Sequence, residues 1–173
     1  GYLLIGVVAG NEAGGQALLF YLLTYAPMTL GAFGVVMALK KGDQDHEGYG
    51  DYAGLGFRRP FLGMAMALFM LSLAGFPPLA GFAGKFYLFR SAVVEGYTSL
   101  AVVGALNSVL SVIYYLRVIV LMYMEEGGVE GKSFGAAPCL YAAIAISVIG
   151  TIYLGLLPAT ALDLSRIAFL SLR

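Results

Sequence analysis

Pro77 and Pro78 stand inside an apolar stretch, Pro60 to Gly84, that holds no charged residue and is followed at once by Lys85. At ~1.5 Å per residue a helix of that length exceeds the ~30 Å hydrocarbon core of a bilayer, so the stretch is expected to span. Neither proline carries a backbone N–H, so in a continuous helix the carbonyls of Leu73 and Ala74 would lose their partners, and Phe76 is pushed out of the helical region by the proline after it. The helix must break. Unsatisfied carbonyls at membrane depth are tolerated only under other protein or beside water, so the break calls for a multi-helix, hydrated setting. Gly75, Gly81 and Gly84 fit this reading because they permit unusual backbone angles and close helix approach. A helix break with a lysine beyond it points to charge movement through a membrane.

Composition agrees: 60% of residues are hydrophobic, 12% are charged, and the mean hydropathy is +0.86. Such values exclude an ordinary soluble domain. The net charge is zero and the ten basic residues are scattered, so there is no electrostatic footprint for nucleic acid. A lone Cys139 and a lone His46 cannot ligate an iron-sulfur cluster or a structural zinc. Any redox chemistry must belong to partners.

Other uncharged runs, from Ala13 to Leu39, Gly96 to Leu116 and Ser133 to Leu162, can each hold one spanning helix. The chain therefore reads as an all-α, polytopic transmembrane bundle. It has four complete spans, near 17 to 39, 60 to 92, 98 to 124 and 137 to 157, with the second discontinuous at Pro77-Pro78. Gly1 to Ala9 is too short to cross and reads as one partial span. With no opening Met and no basic flank before an apolar core, the start looks like the cut end of a longer protein rather than a signal peptide. Lys40, Lys41, Arg58, Arg59 and Lys132 flank one side, which places the Lys40 to Pro60 loop in the cytoplasm. After Leu157, residues Leu164, Ile167, Ala168 and Ser171 could share one face of a short interfacial helix, with Asp163 and Arg166 on another.

Several residues admit a plain reading beside a functional one. Asp43, Asp45 and Glu47 before Gly48 look like the opening of a calcium loop, but the twelfth position is Gly54 where a bidentate Glu is required, which leaves a solvated loop. Pro60 suits the first position of a helix, and Arg58, Arg59 and the aromatic residues before it suit an interfacial anchor. Gly6 to Gly10 has the spacing of a small-residue helix contact. Lys85 could snorkel its head to the interface, with Arg90 marking the water boundary, or it could be a buried group that exchanges its proton as a relay requires. Arg117 could likewise reach the membrane edge or serve as a secondary charge. Pro27 should kink its segment, where Tyr21, Thr24, Tyr25 and Thr29 line a polar side or bond back to carbonyls. Asn107, Ser108 and Ser111 offer similar polar positions.

The run Leu71-Ser-Leu-Ala-Gly-Phe-Pro-Pro-Leu-Ala-Gly-Phe-Ala-Gly-Lys-Phe-Tyr87, with Asp51-Tyr-Ala-Gly-Leu-Gly56 and Tyr114-Tyr-Leu-Arg-Val118, resembles the antiporter-like subunit N of bacterial respiratory complex I, the proton-pumping NADH:quinone oxidoreductase. The similarity runs over most of the chain. It implies a bundle of inverted helical repeats with a discontinuous helix in each. Residues 1–173 would be the C-terminal part of that membrane domain: the second repeat and the helices after it. The first repeat, with its glutamate and further relay lysines, would lie outside these residues.

By the same resemblance Lys85 matches the proton-relay lysine of the second discontinuous helix, and Gly75, Pro77, Pro78 and Gly81 match its break. The M-type paralogue is expected to carry glutamate at the lysine position. The resemblance places no cofactor in this chain. NADH, FMN, iron-sulfur clusters and quinone are expected on partner subunits, with other complex I membrane subunits and the bilayer of the bacterial inner membrane as surroundings. Cation/proton antiporters and membrane-bound hydrogenases share the architecture and stand as alternatives, as does a purely structural membrane scaffold.

Overall fold

The computed structural model describes residues 1–39, 49–125 and 138–171, and among them the regular structure is entirely helical. Helix α1 covers Tyr2–Ala9 and α2 covers Glu12–Leu39; a 3-10 turn at Tyr49–Tyr52 leads to the short α3, Leu55–Arg58. Then come α4 (Pro60–Ala74), α5 (Ala80–Val94), α6 (Thr98–Met124), α7 (Pro138–Leu156) and α8 (Pro158–Ser171). Pro60 takes the opening position of α4, where its missing N–H costs nothing.

Among the described residues, three helices are long and apolar enough to cross a membrane: α2 with 28 residues, α6 with 27 and α7 with 19. The segment expected to span from 60 to 92 is two helices of 15 residues each. At ~1.5 Å per residue neither half alone reaches ~30 Å. The segment expected to be a partial span, Gly1 to Ala9, holds the eight-residue α1.

Helix α2 is the hub, touching α1, α4, α5, α7 and α8. Its inward stripe runs Gly14, Ala17, Tyr21, Thr24, Met28, Gly31 and Val35, recurring every three or four residues as a helix face must. Small residues let neighbours close in: the Phe69 ring of α4 lies over Gly31 at the place a Cβ would occupy. Large apolar side chains such as Leu30, Phe33, Val103, Leu106, Ile113 and Ile149 face outward instead. An apolar exterior around threonine, serine, glycine and lysine is the arrangement a hydrocarbon solvent favours.

The helix α2 runs unbroken through Pro27, so the expected kink does not end it. Its start is capped by Asn11, whose Oδ1 accepts the Gly14 N–H at 2.6 Å, while Asn11 Nδ2 donates to Glu95 Oε1 at the turn after α5. Gly6 packs against Gly14 and Leu18 as a small-residue contact should, but Gly10 serves the turn, at φ 65°.

Residues after Leu157 form a helix, and the face expected at Leu164, Ile167, Ala168 and Ser171 is its outer one. Ala161 and Ser165 are buried against α2, whereas Leu164, Ile167, Ala168 and Ser171 are exposed. The small residues win the contact because α2 presents Gly15 there, covered by the Phe169 ring. Gln16 Nε2 donates to Leu162 O at 3.0 Å, and Arg166 pairs with Glu12 at 3.1 Å, fixing the register.

Candidate functional site

The break lies between Ala74 and Ala80, and the residue that ends α4 is Gly75, two positions before the prolines. At φ 93° and ψ 38° Gly75 adopts a left-handed conformation that other residues avoid. Its N–H donates to Ser72 O at 3.0 Å, and the N–H of Phe76 donates to Leu71 O at 3.0 Å. That is a Schellman ending, and it satisfies two of the last four carbonyls of α4. Pro77 and Pro78, joined by a cis peptide bond, fill the connecting turn and have no N–H to offer the other two.

Those two carbonyls are taken by Lys85. Its Nζ donates to Leu73 O at 2.9 Å and to Ala74 O at 3.2 Å, reaching back from α5 across the break. A third bond runs to Ser108 Oγ on α6 at 2.9 Å, and the ring of Tyr2 on α1 stands 5.0 Å from the ammonium. Only 6% of Lys85 is exposed, so it does not snorkel. It is a buried cation placed where the negative end of a helix dipole and orphaned carbonyls both favour one.

The opposite end of the break is held in a complementary way. No side chain precedes α5 to cap its start, but Ser72, fully buried on α4, accepts the Gly81 N–H at 3.1 Å and donates to Met28 Sδ at 2.8 Å. A lysine of α5 thus caps α4, and a serine of α4 caps α5. Replacing Ser72 with Ala strands the Gly81 N–H, a loss expected to cost about 1–3 kcal/mol. Thermal resistance of the detergent-solubilised protein should fall accordingly, and an unchanged transition would show that the bond contributes nothing.

Glycines bring the walls close to the lysine. Gly75 lies against its Nζ, Gly81 against the Ser72 carbonyl, and Gly84 against Tyr21 and Thr24 of α2. Thr24 spends its hydroxyl on Tyr21 O at 2.9 Å, and Thr29 bonds Tyr25 O at 2.8 Å, so both bond back to their own helix. Tyr21 and Tyr25 line a cavity of about 290 Å³ with Tyr2, Leu73, Asn107, Ser111, Tyr114 and Tyr115. That cavity adjoins the lysine through Leu73, which both lines it and accepts the Nζ bond.

Of the residues singled out from sequence, Lys85, Gly75, Pro77, Pro78 and Gly81 come together at the break. Arg117 does not join them. It is exposed on α6, nine residues beyond Ser108 and so ~13 Å along the helix. Asp43, Asp45 and Glu47 lie outside the described residues, so the metal-loop reading has no structural counterpart to weigh. Ser72 and Tyr2 were not identified from sequence. Their contacts link positions 44 and 83 residues apart, Ser72 with Met28 and Tyr2 with Lys85, and no local pattern signals them.

Known proteins share this framework. The chain is 45% identical over 166 residues to NADH-quinone oxidoreductase subunit N of Trichlorobacter lovleyi, covering 96% of this chain and 34% of the relative. The subunit N of Chloroflexus aggregans is 46% identical over 164 residues, covering 92% of this chain and 32% of that protein. The chain thus spans about a third of the length of these relatives. Among solved structures, respiratory complex I from Thermus thermophilus with bound aureothin superimposes with a TM-score of 0.81 at 34% identity, covering 94% of this chain and 36% of that one. The Mrp complex from Dietzia sp. DQ12-45-1b gives 0.80 at 25% identity, covering 97% and 39%. A family model described as the NADH:quinone oxidoreductase/Mrp antiporter transmembrane region matches residues 1–111. The broken helix, its lysine and these likenesses together establish that the chain belongs to the NADH:quinone oxidoreductase/Mrp antiporter transmembrane family.

Proposed function

We propose that this chain is part of a proton-translocating membrane subunit of NADH:quinone oxidoreductase, moving protons across a bacterial inner membrane while partner subunits reduce quinone. The observation that carries the reading is the buried Lys85 ammonium bridging the helix break beside a polar cavity. As an ammonium, Lys85 has three N–H donors for three acceptors; as an amine it has two donors and a lone pair. Gain or loss of one proton therefore changes the bonding of the break without leaving a charge stranded.

In this reading Gly75, Pro77, Pro78 and Gly81 hold the break open, and α4 and α5 together form one discontinuous span. That makes four complete spans with α2, α6 and α7, and α1 belongs to a further helix. The residues would form the second inverted repeat and the helices after it, with the Lys40 to Pro60 loop on the cytoplasmic side and Arg117 as a secondary charge. NADH, FMN, iron-sulfur and quinone sites would sit on partner subunits.

Lys85→Met in the full-length subunit is the test, read as protons pumped per quinone reduced by the complex in vesicles. The ratio is expected to fall at least about ten-fold, the scale on which removal of a single proton-transfer group acts. An unchanged ratio at wild-type assembly would rule the reading out. The Mrp-like fold supports a second reading, a cation/proton antiporter subunit. Sodium-driven proton flux without NADH would identify that instead.

A further inference from the structure

Ser108 is the one acceptor of the Lys85 ammonium that is also a donor. The other two acceptors, the carbonyls of Leu73 and Ala74, can receive a hydrogen bond but cannot pass a hydrogen on. The Ser108 hydroxyl accepts from Nζ at 2.9 Å, and its own hydrogen has no acceptor among the described residues. Ser108 lies on the inward stripe of α6, with Gly104 packed on Phe89 and Ile5 one turn before and buried Ser111 one turn after. Ser111 differs from it in a decisive respect. Its hydroxyl is spent on Ser108 O at 2.6 Å, so it cannot relay.

The cavity is lined by the neighbours of Ser108 on α6 and not by Ser108 itself. Asn107 and Ser111, on either side of Ser108 along α6, both line it, and so does Leu73 on the far side of the lysine. Tyr2 lines it as well, and its phenolic oxygen is buried with no hydrogen-bond partner among the described residues. A cavity of about 290 Å³ with several polar groups has room for more than one water. The ammonium and a hydroxyl with a hydrogen to give therefore stand beside a cavity large enough for water, one residue away along α6.

We propose that Ser108 is the group through which Lys85 passes its proton to the cavity beside Tyr2, an assignment that rests on the proton-relay reading of Lys85. One Nζ–H bond of Lys85 breaks as one forms on Ser108 Oγ. The hydrogen that Oγ already carried leaves to a cavity water, which becomes hydronium. Ser108 is unchanged in composition, Lys85 is left neutral, and the serine O–H now points at the amine lone pair. Rotation of that O–H toward the cavity resets the pair once Lys85 is protonated again from elsewhere. Until the hydroxyl has turned, the reverse hop stays open and no second proton can leave by this route; once it has turned toward the cavity, return through Ser108 is closed.

Threonine and valine at position 108 have the same shape and differ by the hydroxyl, which makes the test clean. In the full-length subunit within the intact complex in vesicles, protons pumped per quinone reduced are measured for Ser108→Thr, Ser108→Val and Lys85→Met. The expected result is a ratio at least half of wild type for the threonine variant, about ten-fold lower for valine, and as low or lower for Lys85→Met. Equal ratios for threonine and valine, whether high or low, overturn the assignment, because only packing would then matter at position 108. If both pump normally while Lys85→Met does not, Ser108 is excluded and the lysine reading survives. Normal pumping by Lys85→Met removes both.

Discussion

Gly81→Ala is expected to abolish accumulation of the folded subunit. A Cβ at position 81 would clash with the carbonyl oxygen of Ser72 and lie 2.7 Å from its carbonyl carbon. That oxygen is main chain and already accepts the Gly75 N–H at 3.0 Å, so it cannot swing aside without undoing the end of α4. Overpacking by one methyl in a core usually costs ~1–3 kcal/mol because side chains yield; here the obstacle is backbone, and the cost should lie at or beyond the upper end. A second loss compounds it, since moving α5 away stretches the bond from the Gly81 N–H to Ser72 and the reach of Lys85 to α4. The amount of the full-length subunit retained in the purified complex measures the effect. Retention at wild-type level would mean that α4 and α5 do not approach this closely.

Gly155→Ala should be nearly as severe, from the other side of the same turn. Gly155 on α7 faces the Pro78 carbonyl, and an added Cβ would stand 2.6 Å from both Ala80 N and Leu79 C, again main-chain atoms. Gly150, five residues earlier on the same helix, supplies the control. Its Cβ would meet only the Pro27 ring, Cβ at 3.6 Å and Cγ at 3.9 Å, ordinary contact. Gly150→Ala is therefore expected to be neutral or to stabilise by ~0.4–1 kcal/mol through the unfolded chain. Retention of the subunit in the complex should drop sharply for position 155 and stay level for position 150. Similar values for the two would show that α7 does not brace the turn.

Much of the break was legible before any coordinates. Two missing N–H groups in Pro77 and Pro78 point to two orphaned carbonyls four residues upstream, and Leu73 and Ala74 are the ones Lys85 receives. The α6 range, expected at 98 to 124, is Thr98–Met124. What sequence could not supply was the direction of Lys85. Snorkelling and burial are both open to a lysine on a half-helix, and the choice is made by α1 and α6, whose Tyr2 and Ser108 come from distant parts of the chain.

Two features read less well, for related reasons. Ser72 sits in an apolar run as an unremarkable small polar residue; only the sideways passage of α5 gives its hydroxyl the Gly81 N–H to accept. On α8 the stripe through Leu164 and Ile167 reads as one face of an interfacial helix, and that reading does not show which side packs on α2. The buried side is Ala161 and Ser165. In a membrane protein large apolar side chains need not be hidden, so the usual equation of apolar with inward fails where small residues permit closer contact.

The unequal acceptors around Lys85 set a limit on how fast such a site can turn over. A neutral amine keeps enough hydrogens to hold both carbonyls at the end of α4, so the bond that has to reverse is the one to the serine hydroxyl. An O–H rotor of this kind turns on the picosecond to nanosecond scale, whereas sliding one helix past another takes microseconds to milliseconds. A lysine moored to fixed carbonyls on one side and to a free rotor on the other can exchange charge while the backbone around it stands still. On the proposed relay reading, no helix has to slide for the proton to pass at this site.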